Sequence, residues 1–210
     1  MLPEKQTRLR KVISMSAKID RAVDIIRGGG VVAVPTETSY GLAVDYNNEK
    51  ALEKLYRIKR RRHEKPLLVL VENREQLSRL VTSIPDEYQI LMEKYWPGPL
   101  TLIFQAKNEL PTVLTGGSGT IGIRISPHPL ANCLVSRCGQ PLTATSANLS
   151  GHPPAKSAGE VRQIFKDEVD FILEENTVLP GNCSTIVGLR DGKLKIFRQG
   201  VLDLTHHYGT

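Results

Sequence analysis

Residues 19–35 read IDRAVDIIRGGGVVAVP and combine two kinds of structure in one short stretch. Four apolar residues recur at the i, i+3, i+4 and i+7 spacing of an amphipathic helix: Ile19, Ala22, Val23 and Ile26. Ser16 is predicted to cap this helix, and the glycines at 28–30 are predicted to end it. Residues 31–34 are apolar without interruption, which predicts a buried strand. A helix that leads straight into a buried strand is typical of α/β proteins.

The same alternation of helix and strand continues through the rest of the chain. Further helices are predicted over 48–58, around 77–80, before Trp96, over 130–135 and from Ser157, which forms a capping box with Glu160. Further strands are predicted over 67–71, 100–106, 120–125, 142–145, 171–173, 185–187 and 194–197. Neighbouring strands near the end of the chain favour a mixed sheet. We therefore expect an α/β fold with one twisted, mostly mixed sheet flanked by helices around a basic concave cleft. One domain over 1–210 is expected, with a core at about 16–200 and short terminal extensions.

Composition sets limits on the class of protein. The 210 residues carry a formal net charge of +6, which favours anionic ligands without identifying one. No apolar run approaches the roughly 20 residues that span a bilayer, so no membrane partner is expected. Three cysteines without a CxxC spacing predict reduced thiols and a cytoplasmic location. The histidines and cysteines show no spacing typical of metal ligands, and we expect no protein-bound metal centre.

Two polar segments are candidates for binding phosphate. Residues 59–66 read KRRRHEKP, with five cations in the first seven positions, and Ser146-Ala147-Asn148 adds a hydroxyl and an amide. Cations and oriented donors together stabilise phosphate oxygens. A solvated basic helix end would account for the first segment equally well, because Lys and Arg favour the last turn of a helix.

Arg124 lies on a predicted strand whose alternate residues are isoleucines. Its guanidinium therefore faces away from the core, either as an edge-strand charge or as a fork for a carboxylate in a cleft. The hydroxyl-rich segment 35–42 follows a strand, where α/β sheets commonly bind ligands, although a surface turn is the alternative. Residues 116–120 (GGSGT) precede a strand and lack the lysine of a phosphate-binding loop, so only Thr120 remains a candidate.

Taken in order, these and other short motifs resemble the YrdC-like family over roughly residues 16 to 200. The motifs are Thr36-Glu37-Thr38, Tyr40-Gly41-Leu42, Lys59-x-Arg61, Lys65-Pro66-Leu67, Pro97-Gly98-Pro99-Leu100-Thr101, Ile123-Arg124-Ile125-Ser126-Pro127-His128, Ser146-Ala147-Asn148-x-Ser150-Gly151, Ser184-Thr185-Ile186-Val187 and Arg198-Gln199-Gly200. The resemblance implies a nucleotidyltransferase that joins L-threonine, bicarbonate and ATP into threonylcarbamoyl-AMP and pyrophosphate. The product would serve the N6-threonylcarbamoyladenosine modification of tRNA. Mg²⁺ would enter with ATP, and tRNA or double-stranded RNA and the downstream threonylcarbamoyl transferase proteins would be partners.

The resemblance also implies roles for individual residues. The catalytic set would be Lys59, Arg61, Ser146 and Asn148, with the two cations contacting polyphosphate. ATP would be bound by Arg61, Lys65, Thr120, Ser146 and Arg198. Thr36 and Arg124 would hold L-threonine, with Arg124 as the anchor of its carboxylate.

The chain departs from the family pattern at several positions. Ser39 replaces an apolar residue, Lys65 an asparagine, Leu70 a histidine near the threonine pocket, Pro154 a serine near the nucleotide, and Gly188 an aspartate. Two alternatives to the synthase follow. One is a YrdC-like module that binds double-stranded RNA or tRNA without synthase activity, and the other is a paralogue acting on a different carbamoyl or adenylate substrate.

Overall fold

The computed structural model describes residues 2–174 and 179–204, with side chains from residue 14 onward. Its helices are α1 Leu2–Arg27, α2 Glu49–Lys59, α3 Arg74–Ser78, α4 Asp86–Tyr95, α5 Thr112–Thr115, α6 Pro129–Cys138 and α7 Ala158–Phe165. Its strands are β1 Val32–Pro35, β2 Tyr40–Ala43, β3 Leu68–Leu70, β4 Leu100–Gln105, β5 Thr120–Arg124, β6 Leu142–Thr143, β7 Thr145–Ser146, β8 Phe171–Ile172, β9 Thr185–Arg190 and β10 Lys193–Arg198. The last six residues of the expected C-terminal extension lie outside the described residues.

The strands form two mixed sheets. One has four strands in the order β7-β2-β1-β8, and the other has six in the order β10-β9-β4-β5-β3-β6. Both contain parallel and antiparallel pairs, such as β1 with β8 and β1 with β2. The α/β class and the mixed pairing are confirmed, whereas the prediction of a single sheet is wrong.

The four-stranded sheet lies between two apolar clusters, which explains the uninterrupted apolar run at β1. Val32 and Val34 pack in a cluster with residues of α1 and α6. Val31 and Ala33 pack in the other cluster, which includes residues of α2, β4 and β5. Because alternate side chains of a strand point to opposite faces, a strand between two cores must be apolar at every position.

The six-stranded sheet places Arg124 in the interior of the fold. Ile121 and Ile123 of β5 are fully buried in the larger cluster, as the alternation predicts. β5 pairs with β4 on one side and with β3 on the other. Arg124 is therefore not an edge-strand charge, and that alternative is wrong.

Three local predictions need correction. Ser16 does not cap a helix, because α1 begins at Leu2 and continues through this position. The strand predicted over 142–145 is divided at Ala144 into β6 and β7, which belong to different sheets. Tyr40–Ala43, for which no strand was predicted, forms β2 and pairs antiparallel with β1.

Within the described ranges, none of the helices is long and apolar enough to cross a membrane.

Candidate active site

A cavity of about 460 Å³ opens between the basic segment and the ends of several strands. Six predicted site residues line it: Arg61, Lys65, Thr120, Ser146, Asn148 and Arg198. They come from segments up to 137 residues apart, so the fold has brought them together (61 to 198). A volume of several hundred Å³ is typical of small-molecule and cofactor sites.

A second, much smaller cavity of about 20 Å³ adjoins the first. Thr36 and Arg124, the two residues predicted to hold an amino acid, both line it. The two cavities share four lining residues: Leu68, Ser146, Cys183 and Arg198. The structure thus places the predicted amino-acid residues next to the predicted nucleotide residues, with a common wall.

Lys59 lies beneath the larger cavity rather than in its lining. Its side chain is 1% exposed, and its ammonium donates to the main-chain oxygen of Ser146 and to both oxygens of Asn148. Burial, with a smaller effect of Arg61, lowers the pKa of Lys59 to about 7. The main-chain oxygen of Lys59 also accepts from the backbone N–H of Ser150 at 2.9 Å. Lys59 therefore holds the 146–150 loop in place, and its contacts join it to Ser146 and Asn148, which the family resemblance implied as its partners across the cleft.

Arg61 reaches the cavity because α2 ends sharply. Arg60 adopts a left-handed conformation (φ 50°) at the helix C-cap, which turns the following residue back toward the sheet. The Arg61 guanidinium then donates to the main-chain oxygens of Lys65 at 3.3 Å and Pro66 at 2.9 Å. Burial lowers the pKa of Arg61, and the nearby charge of Arg198 adds to that lowering. A phosphate beside these two cations would relieve their repulsion.

Arg124 is part of a buried chain of polar contacts. Its guanidinium donates to one carboxylate oxygen of Glu37, and the hydroxyl of Ser126 donates to the other at 2.5 Å. Ser126 in turn accepts from the backbone N–H of His128 at 3.2 Å. Burial lowers the pKa of Arg124, Glu37 opposes that effect, and Arg198 adds to it. The guanidinium is thereby held in one orientation at the wall of the small cavity.

Thr36 shapes the loop between β1 and β2. Its hydroxyl donates to the main-chain oxygen of Ser39 at 2.7 Å and accepts from the backbone N–H groups of Thr38 and Ser39. Such a hydroxyl-stabilised turn fixes the backbone of the loop. Thr36 lines the small cavity as predicted, but its hydroxyl is bound within its own loop.

Arg198 joins the two cavities through the β9–β10 hairpin. Its guanidinium donates to the main-chain oxygen of Ser184 through two nitrogens, at 3.1 and 2.9 Å. The Ser184 hydroxyl lies 2.8 Å from the hydroxyl of Thr101 on β4. Because β9 pairs parallel with β4, Arg198 is anchored to the central sheet rather than to a free loop.

The departures from the family pattern fall in different places. Pro154 lines the larger cavity, so the serine that it replaces in the family pattern would have placed a hydroxyl there. Leu70 is buried in the smaller apolar cluster with Val32 and Val34 and is absent from the lining of both cavities. At Gly188, an added Cβ atom would lie 2.8 Å from the ring of Phe197, so a larger residue requires that ring to shift.

Several residues that line or support the cavities were not predicted from the sequence as site residues. Glu37, Thr38, Ser126, Cys183 and Ser184 belong to this group. Glu37, Thr38, Ser126 and Ser184 stand within motifs of the family resemblance, and a carboxylate between two threonines was the signal that could have revealed Glu37. Cys183 gave no comparable signal.

The geometry defines the class of protein: an α/β protein with a cavity lined by three cationic side chains beside a smaller cavity lined by Arg124, which is paired with Glu37. The chain belongs to the Sua5_yciO_yrdC family, whose model, described as "Telomere recombination", matches residues 24–200.

Two curated relatives, both named threonylcarbamoyl-AMP synthase, are identical to this chain at more than a third of the aligned positions. The threonylcarbamoyl-AMP synthase of Pyrococcus abyssi is 36% identical over 187 residues, which are 89% of this chain and 55% of that protein. The threonylcarbamoyl-AMP synthase of Idiomarina loihiensis is 40% identical over 160 residues, 75% of this chain and 86% of that protein. The chain thus spans about half the length of the first relative and most of the second.

Solved structures share the fold. Sua5 of P. abyssi complexed with L-threonine matches with a TM-score of 0.86 and 35% identity, over 90% of this chain and 55% of that chain. YciO of E. coli matches with a TM-score of 0.80 and 27% identity, over 89% of this chain and 90% of that chain.

Proposed function

We propose that this chain is a threonylcarbamoyl-AMP synthase, an enzyme that makes threonylcarbamoyl-AMP and pyrophosphate from L-threonine, bicarbonate and ATP. The observation that carries the proposal is the pair of adjoining cavities. The small one presents Arg124, whose guanidinium is paired with Glu37, and the large one presents Arg61, Lys65 and Arg198. The names of the relatives support the synthase over an RNA-binding module without activity.

The overall reaction has two steps, and each balances. Threonine as its ammonium and bicarbonate give the N-carboxylate of threonine, one water and one proton. A carboxylate oxygen of this carbamate then attacks the α-phosphorus of ATP. The bond from the α-phosphorus to the bridging oxygen breaks, and pyrophosphate leaves with that electron pair. The finer class of the enzyme is thus a nucleotidyltransferase.

Charge and position supply the catalysis in this proposal. The attacking carbamate and the triphosphate are both anions, so their approach costs Coulomb energy unless cations lie between them. Arg198 lines both cavities and is suited to that position, with Arg61 and Lys65 on the triphosphate side. Holding the two reactants in adjoining cavities lowers the entropic cost of the encounter. No protein nucleophile is required.

Arg124 would bind the carboxylate of L-threonine. A guanidinium that is 6% exposed and fixed by Glu37 offers a preorganised donor for a carboxylate. The small cavity alone has room for about one water molecule, so the amino acid would also extend into the larger cavity, past the lining residues that the two cavities share.

Mg²⁺ would accompany ATP as part of the substrate. Among the described residues no group of three or more His, Cys, Asp or Glu side chains could hold a metal ion. The lining of the large cavity instead supplies cations, which suit a triphosphate that brings its own metal. The ion would shield the charge of the triphosphate.

The product would pass to threonylcarbamoyl transferase proteins that modify tRNA. A mixed anhydride of a carbamate and a phosphate hydrolyses readily, and a partner that accepts it directly would limit that loss. In this proposal tRNA also binds the chain directly.

The test is pyrophosphate release from ATP by the purified protein, with L-threonine and bicarbonate each present or omitted and with L-serine as the control amino acid. Release that needs both co-substrates and prefers threonine is expected. Arg61→Ala should lower that rate by tens-fold, since a charge-assisted bond contributes about 1.5–3 kcal/mol. The matched control is Arg74→Ala, at an exposed arginine on α3. Pyrophosphate release that does not depend on threonine would contradict the proposal. Absence of release by a protein that binds RNA firmly would also contradict it.

A further inference from the structure

The small cavity contains more hydroxyl groups than its own hydrogen bonds use. Thr36, Thr38 and Ser39 all line it, and each is at least 94% buried. The hydrogen bonds of these three hydroxyls determine which one remains available to a ligand. The inference drawn from this rests on the proposed function, because it concerns how the amino-acid substrate is recognised.

The hydroxyls of Thr36 and Thr38 are committed within the protein. The single hydroxyl hydrogen of Thr36 is donated to the main-chain oxygen of Ser39. In the 3.0 Å contact between the two threonine hydroxyls, Thr38 must therefore be the donor. Thr38 also accepts from Arg124 at 3.4 Å. Neither hydroxyl has a hydrogen left for a ligand.

Ser39 is different. In the described part of the chain its hydroxyl makes one hydrogen bond, to the main-chain oxygen of the next residue, Tyr40, at 3.5 Å. That distance is well beyond the usual 2.5–3.0 Å range for a hydrogen bond between two oxygens. A hydroxyl that is 6% exposed normally has a good partner, because burying it without one is unfavourable. Ser39 thus brings a buried and nearly unpartnered donor to the cavity wall.

The rest of the wall suits a small side chain. Leu68 and Ala144 supply apolar surface, and Gly41 lies close enough to Ala144 that an added Cβ atom would be 3.7 Å from it. Arg124 lines the same cavity and would hold the carboxylate. An amino acid with one methyl and one hydroxyl on its β-carbon matches this combination of apolar wall and single polar group.

We propose that Ser39 is a specificity-determining residue that hydrogen-bonds the side-chain hydroxyl of L-threonine in the small cavity. An amino acid of the same shape without the hydroxyl cannot form this hydrogen bond, so the protein uses it less efficiently than L-threonine.

A chemical double cycle tests the proposal. Wild type and Ser39→Ala are each assayed with L-threonine and with L-2-aminobutyrate, which is threonine without its hydroxyl. Dissociation constants come from calorimetry and kcat/KM from pyrophosphate release. We expect Ser39→Ala to lower kcat/KM for threonine by about tenfold and to change that for 2-aminobutyrate by less than about twofold. Ser136→Ala, at an exposed serine on α6, should change neither.

Ser39→Cys separates the hydroxyl from its volume. It keeps the side chain close to its original size but replaces a strong donor with a weak one, so it should lose the same preference for threonine. Equal losses for both amino acids, in either variant, would mean that Ser39 acts only on the shape of the loop and would overturn the proposal. An unchanged preference would overturn it as well.

Separate results would contradict the proposed function and the role of Ser39. A wild-type protein that releases no pyrophosphate in response to threonine and bicarbonate contradicts the proposed function. A wild-type protein that does so, with variants that keep the full preference for threonine over 2-aminobutyrate, contradicts only the role of Ser39.

Discussion

Lys59 and Asn148, 89 residues apart, are joined by two hydrogen bonds of 2.9 Å from one ammonium group to the side-chain and main-chain oxygens of the asparagine. The ammonium is buried, and its acceptors are neutral oxygens rather than a carboxylate. A cation in such surroundings is costly, and its lowered pKa expresses that cost. The end of α2 and the 146–150 loop are held together by this arrangement.

The pH dependence of stability should reveal Lys59. Its pKa of about 7 in the folded protein lies below the ordinary value of 10.5, so the unfolded chain binds more protons between those two values. The contribution of Lys59 to the free energy of unfolding is therefore complete above pH 10.5 and is lost as the pH falls through about 7. We expect the difference in unfolding free energy between wild type and Lys59→Met to increase with pH across this window, as measured by urea unfolding at constant ionic strength. Lys50→Met, at an exposed lysine of α2, should follow wild type, and a difference independent of pH would contradict the assignment.

Arg124→Lys tests the guanidinium fork at the small cavity. Lysine keeps the charge but lacks the planar guanidinium fork, which can form two parallel hydrogen bonds with a carboxylate while another of its N–H groups contacts Glu37. The KM for L-threonine should rise about tenfold or more, and the KM for ATP should change by less than about twofold. Steady-state pyrophosphate release with each substrate varied in turn gives both constants. An equal rise in both constants would place Arg124 outside amino-acid recognition.

Glu37→Ala should destabilise the fold. The substitution removes the carboxylate that meets both Arg124 and Ser126 and leaves a buried guanidinium without its counter-charge. Breaking a buried pair in this way costs about 3–5 kcal/mol of unfolding free energy. Urea unfolding measures the loss, with Glu93→Ala, at an exposed position of α4, as the control. A loss no larger than that of the control would show that the pair contributes little.

Gly116→Ala should disturb the basic segment. Both Gly116 and Gly119 have positive φ, so alanine costs about 1 kcal/mol at either position. An added Cβ atom at Gly116 would lie 2.8 Å from the main-chain oxygen of His63, whereas one at Gly119 meets nothing within 4 Å. Gly116→Ala should therefore lose more stability than Gly119→Ala and also raise the KM for ATP.

Comparison of the two glycine variants also tests whether the 59–65 and 116–119 segments act together as a cover of the site. Protease sensitivity of both segments, with and without ATP, is the direct measurement. Equal effects of the two substitutions on the KM for ATP would show that the close approach of Gly116 to the main chain of His63 has no part in ATP binding.

Local signals predicted the helices of this fold well. Asn48 accepts from the backbone of Ala51 and Ser157 from that of Glu160, so α2 and α7 begin where their caps stand. Caps and apolar spacing act within a few residues and can be read directly from the sequence. The prediction at Ser16 was wrong for the same reason. A residue type that favours helix N-caps can also lie inside a longer helix, and the local sequence does not distinguish the two cases.

Strand partners could not be predicted in the same way. The residues at 142–145 look like one strand, yet β6 pairs with β3 in one sheet and β7 pairs with β2 in the other. Alternation of side chains shows that a segment is extended but carries no information about its neighbour. The division of the strands into two sheets therefore required the structure.

The site shows the same limit. The family resemblance grouped Lys59 with Arg61 as contacts of polyphosphate, but in the structure Arg61 lines the cavity and Lys59 does not. Leu70 seemed to bear on the amino-acid pocket from its place in the motif order, and it packs in the core instead. Both differences depend on which atoms meet across distant segments.

The common wall of the two cavities has a consequence for inhibitor design. A single molecule that joins an amino-acid head group directly to an adenosine phosphate would occupy both cavities. It would need no flexible linker, so no linker would lose conformational freedom on binding. Once one half is bound, the other is held at a high effective concentration, so the combined affinity can exceed either half by orders of magnitude. Leu68, Ser146, Cys183 and Arg198 would contact the junction of such a molecule, and Cys183 would offer it a thiol for covalent attachment.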